Sequence, residues 1–378
     1  MTAQLFTPVE LGGVTLPNRI VVSPMCQYSA VDGSAQPWHQ VHYGMLAMSG
    51  AGLLCLEATH VEREGRITQG CLGLYSDENE AALKPVIDWV RGWMPGVKLG
   101  VQLAHAGRKA SAQRPWKGGG PLTQADAPDL PWTTFGPSAL AYDPEKKWHT
   151  PVALDAVGLK RVKEAFVSAA ERSLRLGFDV VELHGAHGYL LNQFLSPLSN
   201  HRTDEYGGTA EKRRRFPLEV FEAVRRIWPA EKALGVRLSA IEWVEGGITL
   251  EDSIETARQF KALGCDFVDV SSGGNAPGQK LSVGPGYQVP FSARIRKEAG
   301  IKTWAVGLIT EPEQAEKIVA AGEADCTAHA RPFLIDPRWA WNAARALGVE
   351  TPPLPLPAAR ATSILPFKPK GTVAKAAE

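Results

Sequence analysis

Eight short apolar runs recur along the chain, separated by longer stretches of mixed polarity. They are NRIVVSPM, GLLCLEATHV, KLGVQLAHAG, FDVVELHGAHG, LGVRLSAIEW, FVDVSSGGN, KTWAVGLIT and ADCTAHARPFL. Each has strand length and is rich in aliphatic residues, and Gly, Ser, His and Arg gather at the ends. Near-continuous apolarity, in place of strict alternation, marks strands covered on both faces of a parallel sheet. The intervening stretches carry helical spacing: in AVGLKRVKEAFVSAAERSLRL, Leu159, Val162 and Phe166 fall on one face. Capping signals precede other helices, at Thr249–Asp252 (TLED) and Thr310–Glu313 (TEPE). Eight strands alternating with helices count out as an α/β fold, the (β/α)8 TIM barrel. An open doubly wound sheet is the alternative, but no G-x-G-x-x-G follows the first strand.

Two segments break the repeat. Arg108–Pro151, rich in Gly, Pro and Trp, is inserted after the third strand and reads as a packed lid. The barrel would then span 1–348, and the proline-rich 349–378 would form a C-terminal arm and tail.

The chain has 378 residues, is 44% hydrophobic and carries a formal charge of +1, which offers no electrostatic reason to expect nucleic acid. Its one basic run, EKRRRF (Glu211–Phe216), predicts a solvated helix start. The opening MTAQLFTPVELGG lacks a signal-peptide pattern, and no apolar run approaches a membrane span, so a cytoplasmic location is expected. Cys26, Cys55, Cys71, Cys265 and Cys326 stand far apart, with no C-x-x-C, which argues against an iron–sulfur cluster, a structural zinc or a disulfide framework.

Barrel chemistry sits at the C-terminal rim of the strands. That rim reads Pro24–Cys26, Ala58–Thr59, Gln102, His105, His184, His187, Arg237, Ser271–Gly274, Gly307 and Ala330–Arg331. A zinc hydrolase could use His105, His184 and His187, but the rim has no H-x-H on the first strand and few carboxylates, so no metal is expected. A Schiff-base aldolase needs a lysine at a strand end, and none of the runs ends in one. Glycoside hydrolysis needs two facing carboxylates, whereas Glu57 and Glu182 precede their strand tips. What remains is a rim of donors, glycines and one arginine, suited to hold a group that brings its own chemistry. Gly307 and Ala330–Arg331, after strands seven and eight, lie where barrels bind phosphate.

Several motifs then fall in order: SPMCQYS (Ser23–Ser29), EGRI (Glu64–Ile67), QLAHAGRK (Gln102–Lys109), HGAHGYLLNQFLSP (His184–Pro197), NHRTDEYGG (Asn200–Gly208), RFPLEV (Arg215–Val220) and AVGLIT (Ala305–Thr310). From about Leu5 to Pro337 they closely resemble the old yellow enzyme family of FMN-dependent ene-reductases. Met25–Cys26 points to its thermophilic-like branch, with the xenobiotic reductases and NADPH dehydrogenases. The resemblance implies that Ser23, Pro24, Met25, Cys26, Ala58, Gln102 and Arg237 bind the flavin ring of FMN. It also implies that Gly307, Ala330 and Arg331 hold the phosphate; most relatives have Gly-Arg at the last pair. His184 and His187 would together bind the substrate's carbonyl or nitro oxygen, as an oxyanion hole does. Tyr189 would donate the proton, Tyr28 would offer a second substrate-side hydroxyl, and Arg360 would reach a neighbouring subunit's site in a homodimer or homotetramer. The implied reaction takes hydride from NADPH or NADH, through FMN, to activated alkenes such as enones, maleimides and nitro compounds, with ping-pong kinetics.

Overall fold

The computed structural model describes residues 3–350 and 352. Its centre is a closed barrel of eight parallel strands: β1 (Ile20–Val22), β2 (Leu53–His60), β3 (Lys98–Ala104), β4 (Val180–Gly185), β5 (Ala233–Ser239), β6 (Phe267–Ser271), β7 (Lys302–Ala305) and β8 (Cys326–His329). β8 pairs back onto β1 through Thr327–Ile20, Ala328–Val21 and His329–Val22, which closes the ring. Every apolar run contributes one strand, and almost every strand residue is buried, as the lack of alternation requires.

Among the described residues, eight helices of eight or more residues surround the barrel: α1 (Pro37–Ala47), α2 (Asp77–Trp93), α3 (Ala156–Arg175), α4 (Ala210–Ile227), α5 (Leu250–Ala262), α6 (Val289–Ala299), α7 (Pro312–Ala320) and α8 (Trp339–Ala346). Leu159, Val162 and Phe166 of α3 are buried, as their spacing predicts. Thr249 caps α5, and Asp252 completes the reciprocal pair. The TEPE signal does not operate as expected. Glu311 occupies the cap of α7 without a side-chain bond, because Pro312, lacking an N–H and holding φ near the helical value, takes the first turn. The EKRRRF run starts α4 with Glu211, Lys212 and Arg215 exposed, as expected, but Arg214 and Phe216 are buried, and Arg214 Nε donates to Thr256 Oγ1 at 3.1 Å. Among the described residues, no helix is long and apolar enough to cross a membrane.

An N-terminal hairpin, Val9–Leu11 against Val14–Leu16, closes the bottom of the barrel. Its two-residue turn is Gly12–Gly13, and a Cβ on Gly13 would lie 2.4 Å from the Cα of Glu231. Val9, Leu11, Val14 and Leu16 pack with Val21, Leu53, Phe267 and Trp304 in one apolar cluster, and the last two rings stack at 4.0 Å. At the opposite end, the Arg108–Pro151 segment folds over the rim. There Trp132 and Trp148 pack on a cluster of Ile67, Cys71, Ala106, Ala110 and Ala112, shared with Cys26, Tyr28 and Tyr189. Arg360 and the rest of the expected arm beyond 352 lie outside the described residues.

Candidate active site

A cavity of about 200 Å³ opens at the C-terminal rim, walled by Ser23 and Pro24 after β1, Arg237 of β5, Gly307 after β7, and Ala330–Arg331 after β8. Gly307 has φ +113°, and a Cβ there would meet Gln288 Nε2 at 2.8 Å and the Tyr287 ring at 3.0 Å. The loop thus brings bare backbone to a cavity that Arg237 and the exposed Arg331 also line. That donor set fits an elongated ligand with an anionic end.

Beneath the rim, Arg237 Nε lies 3.0 Å from Asp269 Oδ2, and Gln102 Nε2 donates to Glu182 Oε1 at 2.7 Å. Burial, then the neighbouring Asp269, pushes the Glu182 carboxyl up to about 8. Asp269 is also raised by burial, with Arg237 opposing. Near neutral pH this buried cluster therefore retains one proton on its carboxyl pair, and the remaining carboxylate charge balances the Arg237 guanidinium.

On β2, the pairing with β3 skips from Leu56 to Ala58, so Glu57 forms an irregularity whose side chain meets α1. Glu57 is fully buried; its Oε1 accepts from Tyr43 Oη at 2.7 Å and its Oε2 from Gln27 N at 2.9 Å. Burial raises its carboxyl to about 7. It ties the Met25–Tyr28 loop to the barrel, directly beside Cys26. Burial, then the neighbouring Cys71 and Glu57, holds the Cys26 thiol well above its ordinary value, so it stays protonated.

His184 is the last residue but one of β4, and His187 follows in a turn with φ +59°, a strained value for a non-glycine residue. Three contacts hold that turn: His187 N donates to Ser239 Oγ at 2.9 Å, and Lys109 Nζ donates to His187 O at 2.9 Å and to Gly274 O at 2.8 Å. Gly188 is required next to it, because a Cβ there would lie 2.4 Å from Gly274 O. The rings stand nearly perpendicular, 5.0 Å apart, with His184 Nε2 3.3 Å from His187 Nδ1. Burial depresses both imidazoles well below the usual histidine range, followed by His187 and Arg237 for His184, and by Arg237 and Lys109 for His187. Both are therefore neutral. The Tyr189 ring stands edge-on to His184 at 4.9 Å, and burial keeps its phenol protonated. Tyr28, also left-handed at φ +52°, reaches the same cluster. His105 does not join the pair: its Nε2 lies 3.1 Å from Glu62 Oε2.

Sequence reasoning missed Glu57, Lys109, Ser239 and Gln288 as parts of this neighbourhood. Lys109 was visible inside QLAHAGRK, but nothing in a linear motif shows that its ammonium bonds carbonyls 78 and 165 residues away.

The whole is a TIM barrel with a mouth built to grip a bound cofactor and present it to a second molecule. A family model described as the NADH:flavin oxidoreductase / NADH oxidase family matches residues 4–350. The NADPH dehydrogenase of Geobacillus sp. (strain WCH70) is 43% identical over 350 residues, 92% of this chain and 96% of that protein. The NADPH dehydrogenase of Bacillus subtilis (strain 168) is 42% identical over 354 residues, 93% of this chain and 97% of that protein. Among solved structures, morphinone reductase superposes with TM-score 0.74 at 28% identity, covering 92% of this chain and 91% of that one. The chain belongs to the NADH:flavin oxidoreductase / NADH oxidase family, and it is an FMN-dependent oxidoreductase that takes its electrons from a reduced nicotinamide.

Proposed function

We propose that the chain is an ene-reductase, reducing the C=C bond of alkenes conjugated to a carbonyl or nitro group, such as enones, maleimides and nitroalkenes. The observation that carries this reading is the convergence of His184 Nε2 and His187 Nδ1, 3.3 Å apart, beside the protonated Tyr189. Two uncharged N–H groups aimed at one oxygen polarise the conjugated bond and stabilise the enolate that develops on the substrate. Tyr189 then gives its phenolic proton to the α-carbon. Tyr28 supplies a further hydroxyl on the substrate side. The likeness to morphinone reductase, whose name specifies a ketone acceptor, supports this substrate class.

Bound FMN supplies hydride chemistry between the nicotinamide and the alkene. Ser23, Pro24, Met25, Cys26, Ala58 and Gln102 would flank its ring, Arg237 would lie where negative charge collects, and Gly307, Ala330 and Arg331 would take its phosphate. The Arg108–Pro151 segment serves as the lid. Nicotinamide and alkene use the same pocket in turn, which makes the kinetics ping-pong. The same reading takes the enzyme to be a cytoplasmic homodimer or homotetramer, with Arg360 serving a neighbouring site.

Colour is the first test. Purified protein is expected to be yellow, to bleach with NADPH or NADH under anaerobic conditions, and to recover its colour on adding a cyclic enone. Recovery with oxygen or quinone but with no enone, maleimide or nitroalkene would remove the ene-reductase assignment.

A further inference from the structure

Which ring nitrogen of His187 carries the proton decides whether the pair can serve as a double donor, and the surrounding bonds bear on that choice. His184 Nδ1 accepts from Ala186 N at 3.3 Å, so His184 Nε2 carries the hydrogen. On the far side of the second ring, His187 Nε2 lies 2.7 Å from Ser271 Oγ. Ser271 Oγ is in turn 3.4 Å from Gln288 Oε1, which already accepts from Ser272 Oγ at 2.5 Å. Among these side chains alone, a consistent chain runs His184 Nε2–H to His187 Nδ1, then His187 Nε2–H to Ser271 Oγ, then Ser271 O–H to Gln288 Oε1. In that direction His187 offers the substrate no donor.

Seating an acceptor oxygen against both imidazoles requires His187 Nδ1 to carry a hydrogen. A neutral ring has only one, so Nε2 must then become an acceptor, and its partner must donate. Ser271 Oγ meets both demands, because a hydroxyl can accept in one state and donate in the other by rotating its hydrogen. The reversal keeps the 2.7 Å contact and gives up only a 3.4 Å bond to an oxygen already engaged. The ring changes tautomer while its charge stays zero.

We infer that Ser271, at the end of β6, is a positioning residue: its hydroxyl sets the tautomer of His187, so that both histidines present N–H groups to the substrate oxygen. This rests on the reading of His184 and His187 as the substrate's donor pair. Ser271 touches the imidazole and acts through it.

The test uses the FMN-loaded enzyme and phenol as the probe. Nitrogen NMR on histidine-labelled wild-type protein is expected to show His187 hydrogen on Nδ1 and a bare, hydrogen-bonded Nε2 once phenol is bound. Ser271→Ala is expected to weaken phenol binding about tenfold, the worth of one hydrogen bond, while Ser271→Thr restores it. His187 found with its hydrogen on Nε2 in the phenol complex would overturn the inference. So would an unchanged phenol affinity in an alanine variant that keeps its FMN. The spectroscopic arm is read on wild-type protein and so stands whether or not that variant retains the cofactor. Phenol affinity that is unmoved by His184→Ala with His187→Ala would instead remove the donor-pair reading, and this inference with it.

Discussion

Replacing Glu57 by glutamine isolates one buried proton. Folded, Glu57 keeps its proton up to about pH 7; unfolded, it releases it near the ordinary value of 4.5. Between those values the folded state holds one proton more than the unfolded chain, so this contribution to stability is complete below 4.5 and is lost as pH rises through 7. A rise of that size corresponds to about 3 kcal/mol, of which roughly 2–3 kcal/mol is lost between about pH 5 and pH 8. The buried histidines pull the other way. His42 and His329 are held down to about 4 and His60 to about 3, so stability they confer is lost as acid protonates the unfolded chain. The measurement must therefore be a difference. Glu57→Gln keeps the shape but cannot titrate. Its single carbonyl oxygen accepts from only one of Tyr43 and Gln27, at a cost of about 1–3 kcal/mol at every pH. Urea unfolding of wild type and variant, both FMN-loaded, should show the wild-type advantage shrinking by roughly 2–3 kcal/mol from about pH 5 to about pH 8. A difference that stays flat across that range would show that Glu57 is ionised in the folded protein and would refute the reasoning.

Two further substitutions probe the site. Tyr189→Phe should slow alkene reduction by about 10²-fold or more, while oxidation of NADPH by quinone or oxygen changes little; an equal fall in both would exclude Tyr189 as proton donor. Gly307→Ala puts a side chain at φ +113° and 2.8 Å from Gln288 Nε2, a strain of about 1–3 kcal/mol that should raise the FMN dissociation constant at least several-fold. Quenching of flavin fluorescence on binding measures it, and an unchanged constant would mean that this loop does not touch the cofactor.

The barrel was legible because a parallel strand buried on both faces leaves little room for polar residues, and so each run stood out against amphipathic helices. The rim was legible for the same reason: Gly307, Ala330–Arg331 and His184 sit where those runs stop. What stayed hidden depends on closure of the ring. Glu57 meets Gln27 and Tyr43 across different loops, Lys109 reaches the β4 turn from the inserted segment, and Ser271 faces His187 from a strand 84 residues on. None of these leaves a local pattern. The burial of Arg214 within EKRRRF has a related cause, since α5 covers it, an element that the run itself cannot announce.

The hairpin of Val9–Leu16 works as a stopper in the base of the barrel, and it is held by close packing around Gly13 and by the Phe267–Trp304 stack. With the barrel interior filled by side chains and its base covered, the rim is left as the approach among the described residues. Whatever reaches the inner rim must arrive and depart on the side where the lid segment and the strained Tyr28, His187 and Leu308 turns stand guard. Engineering of throughput in this molecule therefore belongs at that doorway, and changes to the cork should alter how long the protein survives heating rather than how fast it turns over.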